Sequence, residues 1–259
     1  MERKLSKDHM KKGIYILPNL FTTASLFFGF FSIVSSYQGS YNKAAIAIMI
    51  SAVFDMLDGK VARLTGTTSK FGVEYDSLSD LIAFGMAPAF LSFTWALIPF
   101  GRYGWIAAFL YLTCTALRLA RFNVQVETVE KTKFKGLPSP AAAGMIATTV
   151  LLYYYLGGSG ETSKHFLLLM MIYSLAFLMV SNFTFRSLKE LEVTKRQPFS
   201  LLVVSVLLLI LIIAEPEVML FTIALLYVLS GPVELLFNLS SRKSRSKALK
   251  ESSSSKINK

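Results

Sequence analysis

Four carboxylates stand close together in one stretch of a chain that is otherwise strongly apolar. Asp55 and Asp58 are three residues apart, and Asp76 and Asp80 are four residues apart. On helices, the two members of each pair share a face. Carboxylates inside hydrocarbon are costly unless a charged partner binds them. Because acids without Cys or His suit hard cations, the four residues predict a site for two divalent ions, Mg²⁺ or Mn²⁺.

Such a site is suited to phosphoryl substitution, in which two metal ions hold the attacking and the leaving oxygens. Arg63 follows the first acid pair on the same predicted helix and can hold a phosphate by bidentate hydrogen bonds. Gly59 and Gly72 allow a backbone or a nucleotide to approach closely. The alternative is that the acids pair with Lys60, Arg63 and Lys70 at the membrane surface. That alternative explains one or two carboxylates, but not the spacing of all four.

The composition of the whole chain indicates a membrane protein. Its 259 residues are 53% hydrophobic and only 17% charged, with a mean hydropathy of +0.52. These values are too apolar for a soluble domain. A net charge of +11 is then typical of cytoplasmic loops and anionic lipid headgroups, and nucleic acid is not expected as a partner. The single cysteine, Cys114, lies in an apolar run and excludes a disulfide framework.

Apolar runs predict an all-α, polytopic membrane protein with about eight transmembrane helices. A basic cytoplasmic N-terminus, 1–12, is expected to precede a membrane core, 13–183. Two additional helices, within 184–239, and a disordered basic tail, 240–259, are expected to follow. The predicted spans are 14–37, 43–64, 72–99, 103–122, 141–156, 165–183, 199–214 and 218–239.

The basic residues predict the orientation of these spans. Of 27 Lys and Arg residues, all but Lys43, Arg102 and Lys164 fall on the same side as the N-terminus. Lys and Arg are enriched in cytoplasmic loops. We therefore expect both termini, and the acid-rich ends of the second and third spans, to face the cytoplasm.

The first span contains a polar pair, Asn19 and Thr22, at a spacing that lets both side chains face one direction. Polar residues in a membrane helix often form hydrogen bonds between helices. They can equally contact a ligand. Position alone favours the contact between helices.

The acid-rich stretch resembles the signature of the CDP-alcohol phosphotransferase family. The resemblance covers eight positions over about 26 residues. They are Asp55, Asp58, Gly59, Ala62, Arg63, Gly72, Asp76 and Asp80. The common core of that family has six membrane helices, so the resemblance extends over about 14–183.

Membership of this family would assign roles to individual residues. The resemblance implies that the four aspartates hold the metal ions and that Asp80 is also the general base for the incoming alcohol. It implies that Gly59, Arg63 and Ser69 contact the CDP-lipid. Asn19 and Thr22 match a polar pair that the family places near the nucleotide. The resemblance therefore favours contact with the ligand over contact between helices for these two residues. A homodimer is expected from the resemblance alone.

Three neighbouring segments, 71–88, 116–123 and 134–140, resemble the phosphatidylserine synthase branch of the family, which adds two helices to the core. This implies transfer from CDP-diacylglycerol to L-serine in the cytoplasmic (inner) membrane. Because serine is a zwitterion, its pocket needs a cation and hydrogen-bonding groups. Arg118, Arg121 and Lys135 lie on the predicted side of the aspartates, and Asn123 can add a hydrogen bond. Membrane topology alone would also place basic residues there.

Two other interpretations remain at this point. The same chemistry could use another acceptor, such as glycerol 3-phosphate or inositol phosphate, or an archaeol-type CDP-lipid. A cation transporter could also carry acids within the membrane. A transporter, however, predicts acids spread over several helices, often with inverted repeats. Here the acids are confined to one stretch.

Overall fold

The computed structural model describes the backbone of residues 2–67, 69–126, 134–159, 166–185 and 213–233, together with positions 203, 206, 210 and 211. Side-chain surroundings are described for residues 17–67, 69–124, 136–159, 166–183 and 213–233, and for the same four positions.

Seven helices are described without interruption. They are α1 Glu2–Tyr37, α2 Tyr41–Thr65, α3 Lys70–Phe100, α4 Arg102–Val126, α5 Ser139–Tyr155, α6 Phe166–Val180 and α7 Pro216–Val233. Two short strands, β1 Phe134–Lys135 and β2 Thr184–Phe185, pair antiparallel and connect the segments before α5 and after α6. The all-α prediction is confirmed.

Four of these helices are long and apolar enough to cross a membrane, namely Leu17–Tyr37 within α1, Lys70–Phe100, Arg102–Val124 within α4 and Pro216–Val233. α2 is also long, but it carries the first acid pair and two basic residues. The predicted eighth span corresponds to α7. The predicted seventh span, 199–214, and the predicted tail from residue 240 lie largely or wholly outside the described residues.

Two helix starts differ from the predicted boundaries. α1 is helical from Glu2, so Pro18 lies inside the helix and not in its first turn. α3 begins at Lys70, two residues before the predicted Gly72, because Ser69 caps it by accepting a hydrogen bond from the Gly72 backbone N–H at 3.0 Å. In contrast, Pro138 and Pro140 stand at the start of α5, as the sequence predicts.

The buried core consists of two clusters that share α5. One lies between α2, α3 and α5 and is rich in alanine. The other lies between α4, α5 and α6, with Val228 of α7 packed into it. Small residues let these helices approach closely. At Gly29, for example, an added Cβ would lie 2.7 Å from the Cα of Ala83, so α1 contacts α3 there backbone to backbone.

α3 is not a uniform α-helix. A regular part, Lys70–Asp80, is followed by a π-helical segment, Leu81–Met86, by the α-helical Ala87–Ser92 and by a second π-helical segment, Phe93–Leu97. The first π segment begins directly after Asp80. It fixes the direction in which the apolar remainder of α3 leaves the acid-rich end.

Candidate active site

A tight turn brings the two acid-rich helix ends together. α2 ends at Gly66, which adopts a left-handed conformation with φ +64° and donates its N–H to the Ala62 carbonyl. Glycine is favoured in this conformation because it has no Cβ. The next helix, α3, starts at Lys70 and is capped by Ser69. The turn therefore places the end of α2 beside the start of α3.

Three of the predicted metal ligands converge across this turn. Asp55 of α2 and Asp76 and Asp80 of α3 each offer a carboxylate oxygen, and these oxygens all lie within 4.8 Å of one another. We call these three residues the carboxylate group. Oxygens at this separation can share one hard cation.

Two oxygens of the carboxylate group are buried without a hydrogen-bond partner, Oδ1 of Asp76 and Oδ1 of Asp80. A buried, unpartnered carboxylate oxygen is strongly unfavourable unless a cation compensates it. The alternative in which the acids serve only as surface ion-pair partners does not account for these oxygens. The residues present therefore suit a divalent cation in both donor type and geometry.

Asp58 lies outside the carboxylate group, although it was predicted to act with the other three. Its Oδ2 accepts a hydrogen bond from the Thr22 hydroxyl at 2.8 Å, and its side chain is only 5% exposed. Thr22 also accepts a hydrogen bond at its backbone carbonyl from the Ser79 hydroxyl, at 3.1 Å. Thr22 thus joins α1 to both acid-bearing helices.

The other predicted residue of α1, Asn19, lies beside the start of α3. An added Cβ at Gly72 would meet the Asn19 Oδ1 at 3.5 Å, so the glycine makes room for the amide. One turn along, the hydroxyls of Thr23 and Tyr75 are 2.9 Å apart. The polar residues of α1 therefore contact the neighbouring helices, and they do so at the edge of the carboxylate group.

The predicted CDP-lipid contacts on α2 occupy its last turns. Gly59 lies one turn before Arg63, and an added Cβ on Gly59 would lie 3.7 Å from the Arg63 Nη2. Arg63 is exposed. The guanidinium therefore lies over a position that has no side chain, next to the carboxylates, where a phosphate can reach it.

The predicted acceptor residues on α4 approach the site from the side of α3. Arg118 donates from Nη1 to the Ser139 hydroxyl at 3.1 Å, while its Nε is buried without a hydrogen-bond partner. It lies within range of electrostatic interaction with Asp80. A half-buried cation next to the acids, with an N–H donor that has no partner, can bind an anionic group.

Arg121 and Asn123 extend this side of the site. Arg121 donates from Nη2 to the Asn182 Oδ1 at 2.9 Å. The Asn123 amide nitrogen donates to the Ser77 hydroxyl at 3.0 Å, which places it beside the residue that follows Asp76. Lys135 lies in β1, and its side chain is outside the described part of the chain.

Sequence patterns missed several of these contacts. Ser139, Asn182, Thr23, Tyr75 and Ser77 were not proposed as site residues. Ser139 stands between two prolines, and a small polar residue there indicates a helix start. Nothing in the local pattern links Asn182 to an arginine 61 residues earlier.

Together, the fold and the site define a polytopic helical membrane protein with a carboxylate centre, suited to a divalent cation, where two helix ends meet. Over residues 15–180 the chain matches the family model described as CDP-alcohol phosphatidyltransferase. The chain belongs to the CDP-alcohol phosphatidyltransferase family. The resemblance predicted from the acid-rich stretch is thereby confirmed, and the matched region contains α2 to α6 and most of α1.

Individual relatives carry more specific names. A Helicobacter pylori protein named CDP-diacylglycerol--serine O-phosphatidyltransferase is 39% identical over 226 residues, which cover 86% of this chain and 92% of the relative. An archaetidylserine synthase of Methanothermobacter thermautotrophicus is 39% identical over 146 residues, 56% of this chain and 61% of the relative. A Methanocaldococcus jannaschii protein named CDP-diacylglycerol--serine O-phosphatidyltransferase is 46% identical over 97 residues, 37% of this chain and 44% of the relative.

Proposed function

We propose that this membrane enzyme transfers the phosphatidyl group of CDP-diacylglycerol to the hydroxyl of L-serine, giving phosphatidylserine and CMP. The observation that carries the proposal is the position of Arg118, a half-buried cation whose Nε has no hydrogen-bond partner and which interacts electrostatically with Asp80. One site then offers carboxylates for metal-assisted phosphoryl chemistry and a cation for the carboxylate of serine. Similarity over nearly the whole length of a relative named for serine supports the same acceptor.

Metal binding is assigned to Asp55, Asp76 and Asp80, with Asp58 as the fourth acid. The unpartnered oxygens of Asp76 and Asp80 support this assignment. When bound, two Mg²⁺ or Mn²⁺ ions would stabilise the charge on the attacking and leaving oxygens. The hydroxyl of Thr22 holds Asp58 in a fixed rotamer next to the other acids.

Asp80 is the proposed general base. Its Oδ1 has no hydrogen-bond partner, so it is available to accept the proton of the serine hydroxyl. The hydroxyl oxygen then forms a bond to the phosphorus that carries diacylglycerol. The bond from this phosphorus to the CMP oxygen breaks, and CMP leaves with the bonding electrons. Within the described part of the chain, the serine hydroxyls beside the acids, those of Ser77 and Ser79, are engaged in hydrogen bonds to backbone carbonyls. We therefore favour direct attack over a covalent intermediate.

The CDP-lipid is expected on the side of α1 and α2. Arg63 is exposed above Gly59, where its guanidinium can neutralise the departing phosphate. Ser69 and Asn19 line the start of α3 around Gly72, whose missing side chain makes room for both, and we expect them to contact the CDP-lipid. The acyl chains remain in the bilayer.

The acceptor is expected on the side of α4. Arg118 and Arg121 provide positive charge for the carboxylate of serine, Asn123 adds an amide next to Ser77, and Lys135 is a further candidate. The basic loops on this side support an orientation in the inner membrane with the site facing the cytoplasm. A homodimer is proposed from family resemblance alone.

The test is an acceptor panel. Purified full-length protein in lipid micelles, with Mg²⁺ or Mn²⁺ and CDP-diacylglycerol, is given serine, glycerol 3-phosphate or inositol phosphate. CMP release and the lipid product are measured. We expect CMP and phosphatidylserine with serine only. CMP release with another acceptor alone would reassign the substrate. Cation uptake into sealed lipid vesicles that contain the protein, without CMP release in the micelles, would point to a transporter. CDP-archaeol in a parallel reaction tests the lipid preference.

A further inference from the structure

Two arginines on α4 are held by neutral partners. Arg118 donates to the hydroxyl of Ser139 at 3.1 Å, and Arg121 donates to the amide oxygen of Asn182 at 2.9 Å. A carboxylate in either place would form an ion pair and cancel much of the positive charge. A hydroxyl or an amide fixes the guanidinium and leaves its charge available to a ligand.

The two guanidinium groups follow one another along the helix from the interior toward water. Arg118 and Arg121 are three residues apart, about 4.5 Å along the helix axis, and lie on the same face. Arg118 is at the inner end, near Asp80, with a buried Nε. At the outer end, Asn182 is exposed. A small anionic molecule entering from water would meet Arg121 first and Arg118 second.

The hydrogen-bond partners of the two arginines, Ser139 and Asn182, lie in or next to two chain segments that are hydrogen-bonded to each other. β1 pairs with β2, and the backbone N–H of Gly136 donates to the Phe183 carbonyl at 2.9 Å. The N–H of Leu137 donates to the Leu178 carbonyl at 3.0 Å. Gly136 has φ +88°, and an added Cβ would lie 2.3 Å from the Met179 carbonyl oxygen, so only glycine allows this approach. We call residues 134–138 and 181–185 the clamp.

The clamp explains how two polar side chains that are far apart in sequence, Ser139 and Asn182, contact neighbouring arginines. Ser139 follows the first segment of the clamp directly, and Asn182 lies in the second. Because backbone hydrogen bonds fix the two segments against each other, they fix Ser139 and Asn182 relative to α4. Each then constrains one guanidinium.

We propose that Asn182 is a positioning residue for acceptor binding: it holds Arg121 at the entrance of the acceptor pocket through a neutral bond, so that the guanidinium can receive the carboxylate of the acceptor. This inference rests on the proposed function, since it takes serine as the acceptor. It gives the segment after α6 a role in substrate selection, and it predicts that the neutrality of the Asn182 side chain matters as much as its hydrogen bond.

Two substitutions separate this role from a purely structural one. Asn182→Ala removes the bond to Arg121, and we expect the KM for serine to rise roughly tenfold, with little change in the KM for CDP-diacylglycerol. Asn182→Asp keeps the size and strengthens the bond, but it neutralises Arg121. We therefore expect Asn182→Asp to raise the KM for serine more than Asn182→Ala does. Steady-state kinetics on the full-length protein in lipid micelles, with each substrate varied in turn, gives both constants.

Ser181→Ala is the matched control. Its hydroxyl donates only to the Leu178 carbonyl of α6, and it neighbours Asn182 without touching Arg121. We expect wild-type kinetics from this control. If Asn182 served only to stabilise the fold, Asn182→Asp would have the kinetics of the wild type, and that result would overturn the inference. An equal rise in the KM for serine and the KM for CDP-diacylglycerol would also overturn it. If Asn182→Ala does not fold, the comparison of the KM for serine between Asn182→Asp, which keeps the size of the side chain, and the Ser181→Ala control tests the inference. Failure of the wild type to form phosphatidylserine would instead overturn the proposed function.

Discussion

Asp80 carries more of the proposed chemistry than any other residue. It belongs to the carboxylate group, its Oδ1 is buried without a hydrogen-bond partner, and it lies within electrostatic range of Arg118. The same carboxylate therefore faces the proposed metal position and the proposed acceptor position. Few positions in a helical membrane protein combine these surroundings, and they explain how a single residue can serve as ligand and base.

Substitution of Asp80 by Asn should abolish transfer. The amide is nearly the same size, but it neither accepts the serine proton nor provides the negative charge, and general-base catalysis alone typically contributes about 100-fold or more. CMP release from purified protein measures the loss. Glu74→Gln is the control, because Glu74 is an exposed acid of the same helix. Both variants should insert into the membrane in normal amounts. Near-normal activity of Asp80→Asn would remove Asp80 from its role as base.

Residue spacing predicted the carboxylate group only in part. The separations within 55–80 identified Asp55, Asp76 and Asp80, which the structure brings within 4.8 Å. The same pattern predicted that Asp58 would act beside Asp55. In the structure Asp58 accepts a hydrogen bond from Thr22, 36 residues earlier, and its role as a metal ligand stays a prediction. Helical spacing predicts which residues share a face of a helix. It does not predict that a hydroxyl of another helix, here that of Thr22, donates to one acid on that face.

At the scale of elements, α3 shows how a proline can be accommodated in the middle of a membrane helix. Pro88 has no N–H, so in α-helical register the Phe84 carbonyl would lose its partner. The chain adopts a π-helical segment here, in which the Ala87 N–H bonds to the Ile82 carbonyl. The fully buried Tyr111 of α4 donates its hydroxyl to the Phe84 carbonyl at 3.2 Å. A neighbouring helix thus satisfies the carbonyl that proline leaves free.

Removal of that hydroxyl should destabilise the protein. In Tyr111→Phe the buried Phe84 carbonyl loses the hydrogen bond from this hydroxyl, which typically costs about 0.5–1.5 kcal/mol. Thermal unfolding in detergent measures the change. Tyr173→Phe is the control, since its hydroxyl donates to the Tyr103 carbonyl in an exposed bond that water can replace. Equal stability of the two variants would contradict the proposed role of Tyr111.

The order of the seven described helices could be predicted from the sequence, because long apolar runs between polar turns leave few alternatives in a membrane. The π segments could not. Leu81–Met86 reads as ordinary apolar helix, and the tyrosine hydroxyl that donates to its Phe84 carbonyl comes from α4. The clamp was equally hidden, since strands of two residues carry no periodic pattern.

The molecule as a whole has its small residues inside and many of its large apolar residues outside. Ala44, Ala45 and Ala83 are fully buried, whereas Phe30, Phe109 and Phe177 are each about 60% exposed. In water this arrangement would be unstable. In a bilayer the exterior contacts lipid, and small residues allow close helix packing. The carboxylate group lies at one end of this apolar body, next to the turn between α2 and α3.

The orientation of that end can be tested with the single cysteine removed. Lys70 is the first residue of α3, Gln38 lies in the turn after α1, and Arg102 is the first residue of α4; all three are exposed. Because successive spans alternate in direction, Gln38 and Arg102 should lie on the face opposite to Lys70. The excess of Lys and Arg predicts that Lys70 faces the cytoplasm.

In a Cys114→Ala background, we expect a membrane-impermeant maleimide to label Lys70→Cys in inverted vesicles only. Gln38→Cys and Arg102→Cys should be labelled only in right-side-out vesicles. Labelling of Lys70→Cys in right-side-out vesicles would place the site on the outer face of the membrane and contradict the cytoplasmic orientation. With the expected pattern, serine, the CDP-lipid headgroup and the released CMP all meet the site from the cytoplasm.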